Sequence, residues 1–247
     1  MRAVTDDHRA KFHRGLALFD LDGTLIAWDT QVLLCDLVLK REGWRRAYLL
    51  FFAAFLPLAG ILGAEGMKRV FLSYLWRVRR ARLEVWVDDL VAEFFPARCY
   101  PELLERLARH RDAGELTVLA SASPDFYVQA VGRALGFDLA LGTPVGIGER
   151  VPLMPKLRNH KGEEKVRRLS EILGSPPEGG WLASWGYSDS SADLPMLGCC
   201  KRNTLVNPSE RLAEIGCAAG WEILRPRQPW RSKVGRMLEM LRRCTGW

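Results

Sequence analysis

The stretch Phe19-Asp20-Leu21-Asp22-Gly23-Thr24-Leu25 places two carboxylates two residues apart, directly after the apolar run Leu16-Ala17-Leu18. Apolar β-forming residues followed by Asp and Gly predict a buried strand that ends in a loop. Side chains at the carboxyl end of a parallel strand face the crevice where α/β proteins bind ligands. An Asp in that position can attack phosphorus and form an aspartyl-phosphate. A simple Asp- and Gly-rich turn would have the same composition, so the rest of the chain must distinguish the two.

The composition predicts a globular protein with one large domain, or a core with an insertion. The chain has 247 residues, of which 48% are hydrophobic and 26% are charged. Its formal net charge of +7 is compatible with an anionic substrate, an anionic membrane surface or nucleic acid. The basic residues are scattered and no nucleic-acid motif accompanies them, so we expect no nucleic-acid partner.

The cysteines and the N-terminus indicate the compartment. The six cysteines form no C-x-x-C pair, and they suggest neither a zinc site nor a disulfide framework. Reduced thiols fit the cytosol best, and the polar residues 1–8 are not a signal peptide. We therefore expect a cytoplasmic protein, with membrane association left open by one apolar segment.

Strand patterns alternate with helical patterns over most of the chain, which predicts a parallel sheet with crossover connections. The predicted strands are residues 16–19, 116–120 and 181–186, with shorter ones at 137–141, 204–206 and 222–224. Helical patterns cover residues 124–135 and 162–173. The three clear strands each end in small or acidic residues, which is where a ligand site is expected.

Residues 29–96 interrupt this alternation, because they have the pattern of consecutive helices with little strand signal. A helical insert after the first strand would lie above Asp20 and Asp22, at the mouth of the sheet. A cap domain that excludes water from a reaction would occupy that position. The remaining chain then divides into a core of residues 12–28 and 97–228 and a basic C-terminal helix at 229–247.

The insert contains an uncharged segment, 47–63, with Pro57 inside it. Its length is at the lower edge of what a membrane span requires. Because proline breaks a helix, the segment predicts a pair of cap helices that are buried or that form a homodimer. A membrane-surface or re-entrant anchor is the alternative, and a full span is disfavoured because the insert must return to the same side of the membrane to resume the core. The C-terminal residues 230–243 also form a basic amphipathic pattern, which could lie on anionic lipid or in solvent.

Two further groups of polar residues precede helical patterns. Ser121 follows the strand 116–120 and precedes Pro124, so free N–H groups at that helix start could bind phosphate. Lys161 and Lys165 lie at the start of the next helical pattern, and either could neutralise a carboxylate and a phosphate. Each group alone also fits an ordinary loop or a charged surface.

Two aspartates four residues apart, Asp189 and Asp193, follow the strand 181–186. Asp189 could complete a magnesium site with Asp20, because Mg²⁺ prefers hard oxygen ligands. Asp193 could orient a lysine or a metal-bound water. The alternative is an Asp-Ser turn followed by a helix N-cap.

The order of these motifs resembles the haloacid dehalogenase-like (HAD) hydrolase superfamily over residues 16–200: D-x-D-G-T, then Ser, then Lys, then paired Asp. Asp22 is typical of its phosphatase branches rather than of its dehalogenases. The phrases Gly162-Glu163-Glu164-Lys165-Val166 and Gly186-Tyr187-Ser188-Asp189-Ser190 resemble subfamily IB, the phosphoserine-phosphatase-like enzymes. The resemblance implies an α/β fold with a Rossmann-like three-layer core, a parallel sheet and a helical type-1 cap inserted after the first strand.

The resemblance also implies roles for the matching residues. Asp20 would be the nucleophile and would bind Mg²⁺ together with the Asp22 backbone carbonyl and the Asp189 carboxylate. Asp22 would protonate the leaving oxygen and then activate water. The comparison favours Lys165 over Lys161 as the catalytic lysine, although a Lys-Gly-Glu phrase of phosphoserine phosphatases resembles residues 161–163. Contacts to the substrate or to its neighbours would come from Thr24, Asp29, Ser121, the Ala122 N–H, Lys161, Lys165 and Asp193.

Asp29 falls where phosphoserine phosphatases carry an acidic residue that contacts the substrate, and helix capping is an equal alternative for it. The expected function is a Mg²⁺-dependent phosphomonoester hydrolase that acts through an aspartyl-phosphate on a small metabolite, either phosphoserine-like or histidinol-phosphate-like. The cap and the phrases around Lys165 and Asp189 also resemble bacterial phosphatidylglycerophosphate phosphatases, so a lipid phosphatase at the membrane surface is an alternative. A non-catalytic binding protein on the same fold is a second alternative.

Overall fold

The computed structural model describes residues 5–230 and 232–246. Its strands are β1 Leu16–Phe19, β2 Leu116–Pro124, β3 Leu139–Thr143, β4 Ser184–Ser188, β5 Arg202–Val206 and β6 Glu222–Leu224. Within the described residues these six strands form one sheet in the order β3-β2-β1-β4-β5-β6, and every neighbouring pair is parallel. The predicted parallel sheet is confirmed.

Strand β1 lies at the centre of the sheet. Leu18 pairs with Val118 on one side and with Gly186 on the other, and all of β1 is buried. The chain passes from β1 to β2 and β3 and then crosses to the opposite side for β4. Ligands of open α/β sheets bind at such a switch in strand order, outside the carboxyl ends. Asp20 and Asp189, which follow β1 and β4, therefore lie at the same edge.

Helices cover both faces of the sheet, because alternate residues of β1 belong to different hydrophobic clusters. Ala17 and Phe19 pack with residues that include Leu103 and Val128, whereas Leu16 and Leu18 pack with residues that include Leu169. The arrangement is the three-layer α/β core that the sequence predicts. The helices are α1 Asp6–Arg14, α2 Thr30–Arg41, α3 Tyr48–Phe55, α4 Ala59–Phe71, α5 Arg80–Phe94, α6 Pro101–Asp112, α7 Asp125–Leu135, α8 Glu163–Leu173, α9 Leu194–Gly198, α10 Glu210–Ala218 and α11 Lys233–Thr245.

The insert after β1 consists of helices α2 to α5, as the helical pattern of residues 29–96 predicts. It leaves and rejoins the core at adjacent points, since the Tyr100 N–H donates to the Leu25 carbonyl at 2.8 Å and Ile26 forms a β-bridge with Cys99. Asp29 begins the insert as the N-cap of α2. The helical cap therefore stands directly over the end of β1.

The apolar segment 47–63 forms two helical pieces on either side of Pro57. Helix α3 ends before a short 3₁₀ turn, Leu56–Leu58, and α4 follows it, so the predicted break is confirmed. Of the two predicted alternatives, burial within the chain is wrong, because Leu50 and Ile61 are 78% and 85% exposed, whereas pairing in a homodimer stays a prediction. The helical stretch Gly43–Leu75 is also long and apolar enough to cross a membrane, by length and composition alone. The pair packs against the cap along one side only.

The basic C-terminal helix α11 docks on the cap helix α2. Arg243 forms an ion pair with Asp36 at 2.9 Å, and the Tyr48 hydroxyl donates to the Cys244 carbonyl at 3.2 Å. The opposite face of α11 is apolar and exposed at positions 234, 237, 238 and 241. One face of this helix is therefore packed against the protein, whereas the sequence analysis considered only lipid or solvent as its surroundings.

Candidate active site

A cavity of about 450 Å³ opens at the carboxyl edge of the sheet, below the cap. Eight of the predicted site residues line it: Asp20, Asp22, Asp29, Ala122, Lys161, Lys165, Asp189 and Asp193. It is also lined by Gly23, Gln31, Ala64, Lys68, Ser123, Asn159, Ser190, Ala192 and Arg236. Another cavity, of about 540 Å³ and close to β5 and β6, is lined by none of the predicted residues. The chemistry-bearing motifs thus converge on the first cavity.

Lys165 is the buried cation of this cavity. Helix α8 begins at Glu163 and turns Lys165 inward, where Nζ lies 2.7 Å from Asp20 Oδ1 and 2.8 Å from Asp193 Oδ1. Burial opposes the charge of Lys165, yet the two carboxylates together raise its pKa above the usual value. Lys161 is exposed at the rim of the cavity. Of the two candidate lysines, the geometry places Lys165 on Asp20.

Thr24 connects the carboxylates that follow β1 and β4. Its hydroxyl lies 3.5 Å from Asp20 Oδ2 and 3.3 Å from Asp189 Oδ1, and it accepts the Asp189 N–H at 2.9 Å. Burial raises the pKa of Asp20 to about 7. Burial and then the charge of Asp20 raise the pKa of Asp189 to about 7. Negative charge is therefore held close together in the lining of the cavity.

Gly23 allows this close approach. Its φ of +83° is a backbone conformation that residues with a Cβ rarely adopt. A Cβ at this position would lie 2.1 Å from Asp189 Oδ2. The glycine of the D-x-D-G motif thus leaves the space that the Asp189 carboxylate occupies.

The carboxylates of Asp20 and Asp189 are compatible with a Mg²⁺ ion. In the part of the chain that the structure describes, no three His, Cys, Asp or Glu side chains are grouped to hold a metal. Two carboxylates and the Asp22 carbonyl would form an all-oxygen set, and Mg²⁺ commonly completes such a set with water and substrate phosphate. The raised pKa values of both carboxyls reflect buried negative charge that a divalent cation would relieve.

Asp22 is oriented by residues of the cap and of β2. Its Oδ1 accepts from the N–H and the hydroxyl of Thr30 at 2.7 and 2.6 Å, and its Oδ2 accepts from the Ser123 hydroxyl. Burial, followed by the charge of Asp29, raises the pKa of Asp22 to about 6. Sequence reasoning missed Thr30 and Ser123, although both adjoin motifs that it singled out.

Ser121, like Thr24, is a predicted site residue that is fully buried and is not among the residues that line the cavity. Strand β2 continues to Pro124, so alternate side chains point to opposite faces. The Ser121 hydroxyl is fully buried and accepts the Ser123 N–H at 3.0 Å, while its carbonyl lies 2.9 Å from His160 Nδ1. Burial lowers the pKa of His160 to about 4. Ala122 and Ser123 are the residues of this loop that reach the cavity.

The cap contributes Lys68 to the cavity, a residue that the sequence analysis did not assign to the site. Its Nζ donates to the Ala122 carbonyl and to Asn159 Oδ1, both at 2.7 Å. Burial lowers the pKa of Lys68 to about 8. Asp29 both caps α2, accepting the Gln31 N–H at 2.9 Å, and lines the cavity. The two alternatives for Asp29 are therefore compatible.

Comparison with known proteins agrees with this architecture. The family model described as haloacid dehalogenase-like hydrolase matches residues 17–198. The chain is 30% identical over 233 residues to the inhibition of morphological differentiation protein of Streptomyces azureus, covering 89% of this chain and 81% of that protein. It is 27% identical to histidinol-phosphatase of Neisseria meningitidis, covering 85% and 98%.

Solved structures show the same fold. A protein of unknown function from Bordetella pertussis aligns with a TM-score of 0.72 and 27% identity, covering 85% of this chain and 98% of that one. A phosphoserine phosphatase with an analogue of the phospho-aspartyl intermediate aligns with a TM-score of 0.53 and 18% identity, covering 91% and 97%. At that identity the second likeness concerns the fold alone.

Proposed function

Because this chain belongs to the haloacid dehalogenase-like hydrolase family, we propose that it is a Mg²⁺-dependent phosphatase that forms an aspartyl-phosphate on Asp20. The observation that carries the proposal is the position of Asp20, held between Lys165 and Thr24 with Asp22 in the same cavity. Relatives named as phosphatases support the same reaction class.

In the first step, an Asp20 carboxylate oxygen attacks the phosphorus of a phosphomonoester. The bond from phosphorus to the leaving oxygen breaks, and that oxygen takes a proton from Asp22. The pKa of about 6 that burial gives Asp22 helps it to hold this proton at near-neutral pH. Thr30 and Ser123 fix the direction in which the carboxyl group faces.

In the second step, the Asp22 carboxylate takes a proton from water, and the water oxygen attacks phosphorus. The bond between phosphorus and Asp20 breaks, which releases inorganic phosphate and restores both carboxyl groups. Lys165, Thr24 and the Ala122 N–H would stabilise charge on the phosphoryl oxygens. Mg²⁺ held by Asp20, Asp189 and the Asp22 carbonyl would supply additional positive charge there.

The mechanism is tested with purified protein, Mg²⁺ and p-nitrophenyl phosphate. We expect Asp20→Asn to lower kcat by at least about a thousandfold, because the nucleophile is lost. Chelation of the metal with EDTA should also remove activity. Asp88→Asn, at an exposed position of α5, is the matched control and should retain it. Hydrolysis that survives both Asp20→Asn and EDTA would contradict the mechanism, and wild type without hydrolysis would favour a non-catalytic binding protein.

The proposed substrate is a small phosphorylated metabolite, phosphoserine-like or histidinol-phosphate-like. The cavity of about 450 Å³ has the size of an ordinary small-molecule site. A relative named histidinol-phosphatase and another named phosphoserine phosphatase support these two chemistries. A panel of phosphorylated metabolites that includes both compounds and a lipid phosphate would identify the preferred class by kcat/KM.

A second candidate is hydrolysis of a lipid headgroup phosphate at a membrane surface. The observation in its favour is the exposed apolar pair α3 and α4, which adjoins the cavity through Ala64 and Lys68. Trp44 and Trp76 are also exposed, and aromatic side chains of this kind favour the membrane interface. Exposed basic residues that follow Trp76, such as Arg77 and Arg79, would favour anionic lipid. If this candidate function is correct, the protein is cytoplasmic and associates with the membrane surface.

Vesicles that contain phosphatidylglycerol test this candidate. Leu50→Glu should reduce sedimentation with vesicles, because it puts a charge on the apolar pair. Leu182→Glu is the matched control, since Leu182 is 76% exposed and precedes β4 at the opposite edge of the sheet. Equal binding by the two variants, or a wild type that does not sediment, would contradict the lipid candidate. Gel filtration of the same variants tests the predicted homodimer.

A further inference from the structure

The charges that line the cavity are separated into an inner and an outer group. The inner group contains Lys165 and four carboxylates, those of Asp20, Asp22, Asp189 and Asp193. The outer group contains three cations, Lys68, Lys161 and Arg236, and the carboxylate of Asp29. The proposed phosphoryl chemistry accounts for the inner group. It leaves an excess of positive charge at the cavity mouth without a role.

Arg236 reaches the cavity from the C-terminal helix α11, far along the chain from the motifs of the core. The helix is fixed on the cap at its other end, where Arg243 pairs with Asp36 and Arg46 donates to the Thr245 carbonyl at 3.2 Å. Near its start, the Arg236 guanidinium lies 5.4 Å from the centre of the Trp230 ring. Arg236 is therefore held at the mouth by a docked helix.

The outer cations retain capacity to bind an anion. Among the described residues, neither Lys161 nor Arg236 forms an ion pair with an acidic side chain, and both are exposed. Lys68 donates two hydrogen bonds to protein oxygens, which leaves one of its three N–H groups. Asp29 Oδ1 accepts the N–H groups of Gln31 and Val32 at the start of α2.

We propose that Arg236, with Lys161 and Lys68, forms a subsite for a second anionic group of the substrate, and that Arg236 determines specificity. A guanidinium pairs with a carboxylate or phosphate through two parallel hydrogen bonds, which gives both affinity and direction. The preferred substrates are phosphomonoesters that carry a further carboxylate or phosphodiester, which favours the phosphoserine-like class over the histidinol-phosphate-like class. This proposal rests on the proposed function in one respect: it assumes that the phosphoryl group of the substrate binds in the inner part of the cavity.

The first test uses two non-hydrolysable phosphonates, 2-amino-4-phosphonobutyrate and 3-aminopropylphosphonate, which differ by one carboxylate. Their affinities for the protein with Mg²⁺ are measured by calorimetry. The wild type should bind the carboxylate-bearing compound more tightly, and Arg236→Gln should weaken that compound about tenfold while leaving the other unchanged. Arg242→Gln, which removes the same charge farther along α11, is the matched control and should change neither affinity.

The second test distinguishes the source of the second anion. Hydrolysis of O-phosphoserine is compared with that of phosphoethanolamine, and vesicle-borne phosphatidylglycerophosphate is compared with phosphatidic acid. In whichever pair the protein hydrolyses, Arg236→Gln should raise KM about tenfold for the member that carries the additional carboxylate or phosphodiester. Equal effects of Arg236→Gln on both members of each pair, or none, would overturn the subsite. A normal rate on p-nitrophenyl phosphate in that case would leave the proposed phosphatase reaction standing.

Discussion

Strand β1 and the cap segment 47–63 are both uncharged and apolar, yet they occupy opposite environments. All of β1 is buried between two strands and two helical layers, whereas Leu50 and Ile61 of the cap segment lie largely in solvent. A run in the middle of a sheet has neighbours on every side, and a helical pair at the edge of a cap has neighbours on one. Apolar composition therefore predicts burial only where the topology supplies partners.

The two regions also differ in how they hold charge. Around the end of β1, buried carboxylates are paired with Lys165 or hydrogen-bonded to hydroxyl groups. The cap and α11 instead hold exposed or partly exposed cations over the cavity mouth. The core thus carries the groups for reaction, whereas the cap and α11 carry two of the three cations that would select what enters; the third, Lys161, lies just before α8 of the core. Paired substitutions in the two regions test this division.

The largest effect is expected for the carboxylates. Asp22→Asn should lower kcat for an alkyl phosphate by about 10²–10⁴-fold, because it removes the proposed general acid and base. The first turnover of p-nitrophenyl phosphate should be affected less, since its leaving group departs without a proton. Asp29→Asn, on the cap side, should act mainly on KM. Similar losses of kcat in Asp22→Asn and Asp29→Asn would contradict the assignment of reaction to the core and of substrate selection to the cap side.

The two lysines should differ in their contribution to the free energy of unfolding. Lys165→Met leaves the carboxylates of Asp20 and Asp193 without their buried cation, and it should lower the free energy of unfolding by about 3–5 kcal/mol. Lys161→Met, at the exposed rim, should change it by less than about 0.5 kcal/mol. Urea unfolding of both variants measures the difference, and equal stabilities would argue against the buried ion pairs.

The apolar runs themselves can be compared with one truncation each. Leu18→Ala should destabilise the fold by about 2–5 kcal/mol, because it leaves a cavity in the packed core. Leu50→Ala should change stability by less than about 0.5 kcal/mol, because the side chain is mostly in solvent. Thermal unfolding at fixed protein concentration is the measurement. A large loss with Leu50→Ala would indicate that the cap segment is covered in solution, as by a second copy.

The smallest difference is expected between alanine substitutions at two glycines with positive φ, Gly23 in the core and Gly63 in the cap. Gly23→Ala would push a Cβ against Asp189, so the Mg²⁺ concentration for half-maximal activity should rise about tenfold or more. Gly63→Ala meets no described atom within 4 Å, so its effect should be backbone strain of about 1–3 kcal/mol. Its Mg²⁺ dependence should match that of wild type. If the Mg²⁺ concentration for half-maximal activity rose equally in both variants, the proposed effect of Gly23 on the metal site would be contradicted.

Much of the core followed from local pattern. Strand β1 has the predicted bounds, because an apolar run ended by Asp and Gly specifies both the strand and its end. The strand expected at 181–186 is instead β4, three residues later at its start. Trp181 is apolar and buried, but its backbone N–H donates to the Cys199 carbonyl, and Ala183 has a positive φ of 46°. Because a buried apolar residue in a loop looks the same in sequence as the first residue of a strand, the predicted strand began too early.

The sequence by itself determined the order of the carboxylates and the sheet edge on which they lie, since both depend on short-range patterns and on the parallel direction of the strands. The tertiary structure decided which lysine reaches Asp20, which serine reaches the cavity and whether the apolar cap segment is covered. It also brought Lys68 and Arg236 to the same cavity from the cap and from the C-terminal helix. These contacts join residues far apart in the chain, and only the packing of whole helices on the sheet fixes their distances.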